Sequence, residues 1–162
     1  MPGLYLQPPE IKEVQGEVIY LAGPLHGAPI WQLEAARIIH EAKNIYAASQ
    51  RDMYGNDSCE YLKLPDWENY YHSRSAKCGA IMYWLAKQTS IVNDSNYAKD
   101  AINLLISDKQ NHHMTGLKMV VGIEHGFLYE NYIRRSIYRD STNIPLLDNL
   151  RDTVMATVQL LD

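Results

Sequence analysis

The 162-residue chain is short of positive charge: 15 Lys and Arg stand against 19 Asp and Glu, a net charge of −4. Without a basic excess there is little to neutralise a phosphate backbone, so no nucleic-acid partner is expected. Cysteine is scarce as well. Cys59 and Cys78 form no CxxC, and no His pair stands at zinc-finger spacing. Neither a disulfide framework nor a structural metal site is suggested, and a reducing, cytoplasmic setting fits best. No run approaches the ~20 apolar residues of a membrane span. The first ten residues lack the basic and apolar regions of an export signal, so neither membrane association nor secretion is expected. Phenylalanine is nearly absent, one residue against twelve Tyr, which implies aromatic positions that are partly wet. What is present is ordinary for a globular protein: 46% hydrophobic and 21% charged residues exclude a disordered, collagen-like or coiled-coil chain. A chain of this length buries roughly 70% of its unfolded surface, enough for one self-sufficient core.

Residues 1–16 carry three prolines and no apolar period, and read as an extended arm before a domain spanning 17–162. Apolar runs then alternate with helical stripes. Val18–Ala22, Ile45–Ala48, Ala80–Leu85, Lys118–Ile123 and Ile144–Leu147 are short runs suited to strands buried on both faces of a parallel sheet. Between them, Trp31, Ala35, Ile38, Ile39 and Ala42 form one amphipathic stripe. Helices are also expected over 66–77 and 97–109, through Tyr129, Tyr132, Ile133 and Ile137, and from Leu150 to Leu161 with Asp148 as N-cap. The stretch from Gln50 to Pro65 reads as a long loop. Five strands each followed by a helix predict a five-stranded, doubly wound, flavodoxin- or Rossmann-like α/β sheet with helices on both faces. In such folds ligands lie beyond the carboxyl ends of the strands.

Residues just after strands are therefore the candidates. Gly23, Pro24, Leu25, His26 and Gly27 form a glycine-bearing turn whose backbone NH groups, with a helix N-terminus, suit a phosphate or sugar hydroxyl. The turn is neither a GxGxxG nor a P-loop, and a tight turn needing glycine for its dihedrals is the plainer account. Asp66 to Ser75 is crowded with polar and aromatic groups, and Glu68, Tyr71 and Ser75 at i, i+3 and i+7 could address one ligand; a solvated helix face anchored by Trp67 and Tyr71 is the alternative. Glu124 and His125 follow the fourth strand. His112-His113 reads as an exposed polar turn, since adjacent residues diverge and no acidic ligand stands at metal spacing.

Taken together, Ile19-Tyr20-Leu21-Ala22-Gly23-Pro24 with Trp31-Gln32, Asp66-Trp67-Glu68, Gly79-Ala80-Ile81 with Trp84-Leu85-Ala86-Lys87, Val120–Glu124 with Gly126-Phe127, and Tyr132-Ile133 resemble the nucleoside 2-deoxyribosyltransferase-like family. The likeness runs over about residues 17 to 161. It implies a five-stranded α/β fold, usually a homo-oligomer, that breaks the N-glycosidic bond of a deoxynucleoside or nucleotide without metal or organic cofactor and passes the sugar to a base or to water. The family's catalytic carboxylate is a Glu on the helix after the third strand. The corresponding stretch here, Tyr97 to Asp108, holds no Glu. Asn103 or Leu104 takes its position, and Asp100 is the carboxylate one turn earlier. The resemblance further implies Glu68 and Tyr71 as pocket groups and the turn Gly23–Gly27 as the sugar or phosphate cradle. The resulting expectations are an enzyme using Asp100 or Glu124, a non-catalytic nucleotide-binding module on the same fold, or a structural oligomer.

Overall fold

The computed structural model describes residues 4–53, 64–90, 97–140 and 143–162. The chain folds as an α/β protein around one six-stranded, all-parallel sheet. In chain order the elements are β1 (Tyr5–Leu6), β2 (Val18–Ala22), α1 (Gln32–Ala42), β3 (Tyr46–Ala48), α2 (Leu64–Lys77), β4 (Gly79–Leu85), α3 (Lys99–Thr115), β5 (Met119–Ile123), α4 (Glu130–Asp140), β6 (Leu146–Leu147) and α5 (Leu150–Leu160). The sheet order is β1-β3-β2-β4-β5-β6.

The parallel, doubly wound architecture is as the alternation of runs and stripes predicts, with six strands in place of five. The extra strand lies in the N-terminal arm: Tyr5 and Leu6 pair with Ala47 and Ala48 of β3. Two residues carry too little periodicity to be legible as a strand. Other boundaries also move. α3 runs on to Thr115, so His112 and His113 stand in its last turn rather than in a loop, and Gly116, at φ 74°, closes it in the left-handed conformation glycine tolerates. The N-cap of α5 is Asn149 and not Asp148; its side chain accepts a hydrogen bond from the Asp152 amide. Of the expected loop from Gln50 to Pro65, residues 54–63, with Cys59, lie outside the described residues.

β2, β4 and β5 are buried on both faces, as their continuous apolar runs require. Their alternate residues feed two separate cores. Ile19, Leu21, Ala80, Met82 and Trp84 meet α1 and α5; Tyr20, Ile81, Tyr83 and Val121 meet α2, α3 and α4. Helices therefore cover both faces. Gly122 marks the closest helix approach, because a Cβ there would overlap Thr153 of α5. Among the described residues no helix is long and apolar enough to cross a membrane.

Candidate functional site

From β2 the chain moves outward to β3 and then returns past β2 to β4, so the winding reverses between β2 and β4. The carboxyl ends of strands at such a reversal are where open α/β sheets take ligands. Gly23–Gly27 leaves β2 at this point. Gly23 has no room for a side chain: a Cβ would overlap the Trp84 carbonyl oxygen and come within 2.6 Å of the Trp31 ring. The Trp31 indole donates to the Pro24 carbonyl at 3.1 Å. At the far end of the turn Gly27 has φ 82°, and its carbonyl accepts from the Thr89 amide at 2.8 Å and the Ser90 amide at 3.2 Å. The turn is thus zipped to the segment that follows β4. His26, at its apex, is exposed.

A second support comes from Arg51, beyond β3. Its guanidinium is buried and donates to the carbonyls of Pro29 at 2.8 Å, Ala28 at 3.3 Å and Leu25. One cation therefore gathers the carbonyls of the β2–α1 turn and fixes its curvature. The Arg51 carbonyl in turn accepts from the Tyr5 hydroxyl at 2.6 Å, which ties the arm to the same cluster. Burial of the Tyr5 phenol pushes its pKa up to about 12. Sequence reasoning missed Arg51 by assigning it to a long loop, although it stands three residues after a strand, on the side where ligands bind.

Glu68 lies on the first turns of α2, half-buried, and accepts from the Gln50 side-chain amide at 2.5 Å. Desolvation holds its carboxyl above the usual glutamate range, the Gln50 bond pulls it back, and the negative charge of Asp100 raises it again. Asp100 is exposed on the first turn of α3. Just before it, Ala98 adopts φ 63°, an uncommon left-handed conformation for a residue with a Cβ. Tyr97 fixes this entry by donating its hydroxyl to the Ala86 carbonyl at 2.7 Å. Burial and the Glu124 charge both push the Tyr97 phenol up. Glu124, half-buried after β5, accepts from the Lys87 amide at 3.0 Å.

The segments after β2, β3, β4 and β5 and the starts of α2 and α3 are therefore linked by hydrogen bonds or by electrostatics around one edge of the sheet. Tyr71 stands apart. It is fully buried on the stripe Trp67, Tyr71 and Ser75. Its hydroxyl accepts from the Lys12 amide at 3.0 Å and donates to the Lys12 carbonyl at 3.1 Å, so it binds the arm to α2 and is engaged there. Asn103 is exposed on α3, and Leu104 is half-buried against the aromatic core. Among the described residues no three His, Cys, Asp or Glu side chains are grouped to hold a metal ion. No protein-family model matches the chain, and no curated protein is found similar to it.

Proposed function

We propose that the chain binds a nucleoside or nucleotide at the carboxyl ends of β2 and β4 and acts on its N-glycosidic bond, as its resemblance to the nucleoside 2-deoxyribosyltransferase-like family implies. The observation that carries this reading is the pairing of Glu68 and Asp100: one carboxyl raised by burial and by its neighbour's charge, the other exposed at a helix start on the same edge. Two carboxyl groups in unlike environments suit an acid and a charge-stabilising or nucleophilic partner. Glu68 gives its proton to the departing base nitrogen as the C1′–N bond breaks and its electron pair moves to that nitrogen. The Asp100 carboxylate attacks C1′ or shields its developing positive charge, and water or a second base then takes the sugar. The turn held by Arg51 cradles the sugar or its phosphate.

Chromatography for free base after incubation with deoxynucleosides and deoxynucleotides tests the reading. Base release should fall by about 10²- to 10⁴-fold in Glu68→Gln and be lost in Asp100→Ala. Release that is unchanged in both variants overturns it. A second reading, binding without cleavage, is favoured by the exposed amide of Asn103 and the packed Leu104 where the family carries its Glu. Its signature is a thermal shift with nucleotides and no free base, with release gained in Asn103→Glu or Leu104→Glu. Either reading places a homo-oligomer in the cytoplasm, with the exposed Leu128, Tyr129, Tyr132 and Tyr138 as amphipathic interface groups; a monomer in sedimentation at micromolar concentration counts against the assembly.

A further inference from the structure

At the opposite, amino-terminal edge of the sheet, a cleft of about 490 Å³ opens between the ends of α2 and α3. Its volume lies in the range of small-ligand sites. His72 of α2 lines it, and the imidazole is held from behind by Asp108 of α3: Nε2 lies 2.8 Å from Oδ1 and 3.0 Å from Oδ2. Asp108 is completely buried and also accepts from the Tyr83 hydroxyl of β4 at 2.5 Å. A carboxylate so placed makes a fixed hydrogen-bonding unit with its two donors and settles which ring nitrogen carries the proton, Nε2. Tyr20 packs edge-on against the same ring at 5.7 Å. Nδ1 has no hydrogen-bond partner among the described residues, and about a quarter of the side chain is exposed.

The surroundings give the cleft its selectivity. Lys77, Lys118 and the Asn111 amide line it with His72, against one acidic side chain, Glu17. In a chain of net charge −4 this is a locally basic concavity. The carbonyl ends of the two helices, which would repel an anion, are partly occupied: the Arg74 carbonyl accepts from the Cys78 amide at 3.0 Å, and the His112 carbonyl accepts from the Gly116 amide at 3.0 Å. We propose that this cleft is a second ligand site, separate from the carboxyl edge of the sheet, that takes the oxyanion of a small molecule, phosphate or carboxylate, on His72, Lys77 and Lys118. Asp108 is its positioning residue: it aims the imidazole into the cleft and is the counter-charge when Nδ1 takes a proton and donates to the ligand.

Titration of the ¹⁵N-labelled full chain with inorganic phosphate, and in parallel with acetate, tests this. Saturable shifts are expected at the Gly79, Gly116 and Leu117 amides and at the His72 ring. Tighter phosphate binding assigns a phosphate ligand, and equal or tighter acetate binding a carboxylate. His72→Gln and the pair Lys77→Ala with Lys118→Ala should each weaken the amide response roughly tenfold or more, the loss of one charge-assisted hydrogen bond. Asp108→Asn should weaken it comparably without touching the ion. If that variant does not fold, the surface lysine pair decides. Absence of a saturable shift with either ion, shifts confined to Gly23 and Gly27, or a response unaltered in both His72→Gln and the lysine pair overturns the proposal.

Discussion

The two faces of the sheet solve burial differently. Towards α1 and α5 the core is mostly aliphatic and alanine-rich, with Ile19, Leu21, Ala35, Ile38, Ile39, Val154 and Val158 beside the aromatic Tyr5, Trp31 and Trp84. Its buried hydroxyls are returned to their own helix, Thr153 to the Asn149 carbonyl at 2.6 Å and Thr157 to the Thr153 carbonyl at 2.8 Å. Towards α2 and α3 the same strands present Tyr20 and Tyr83 to Trp67, Tyr71, Tyr97 and a buried carboxylate. A dry face needs only shape and volume. On an aromatic, hydroxyl-bearing face polar tips seek partners: those of Tyr71, His72 and Tyr83 are found on the arm and on Asp108, while Trp67 Nε1 and Ser75 Oγ are buried without one among the described residues. The amino-edge cleft draws on that second face through Tyr20 and Tyr83, and the carboxyl edge draws on both, through Trp31 on the first and Tyr97 on the second.

The contrast can be broken from either side. The largest effect is expected on the aliphatic face: Leu21→Ala or Ile39→Ala, both completely buried, should cost about 2–5 kcal/mol in denaturant unfolding. Arg51→Met comes next. It removes a charged donor from three carbonyls of the β2–α1 turn, a loss of about 2–3 kcal/mol accompanied by weaker nucleotide binding in thermal-shift assays. Tyr83→Phe keeps the ring and deletes one donor to Asp108; about 1–2 kcal/mol is expected, and a result as large as that for Ile39→Ala would mean that the polar network, not volume, dominates both faces.

The smallest effect should come from Glu68→Gln, with its sign set by pH. The folded-state pKa of Glu68 is raised, so its protonated form favours folding, and this contribution is present at acid pH and lost as pH rises through that raised pKa. At pH 7 the variant should equal or slightly exceed wild type in thermal stability, and the advantage should vanish near pH 4. Loss of stability at pH 7 would show that the Gln50 bond outweighs desolvation.

How far the sequence was legible follows from the range of each signal. Continuous apolar runs marked β2, β4 and β5, and one-sided stripes marked α1, α4 and α5, because burial on both faces or on one stripe leaves a local period. β1 left none, since two residues pair only because β3 is already there. The carboxyl edge of the sheet and the turn Gly23–Gly27 between β2 and α1 are legible from the alternation of runs and stripes. The partners are not: Arg51 is separated from its Leu25 acceptor by 26 positions and Tyr71 from Lys12 by 59. Beside Arg51, the missed signal was Asp108, which continues the buried stripe of Ala101 and Leu105 and so stands where a charge demands explanation.

Composition and periodicity therefore determined by themselves the α/β class, the doubly wound alternation and the place of the Gly23–Gly27 turn after a strand. These depend on which surfaces each segment must hide, a property of neighbouring residues. Only the tertiary structure decided that Tyr71 clamps the arm, that Arg51 shapes the turn, that Glu68 shares an edge with Asp100, and that His72, Tyr83 and Asp108 meet. Those depend on interactions between groups distant in the chain, the hydrogen bonds among them spanning 22 to 59 positions, whose directions are fixed only once helices have packed on the sheet.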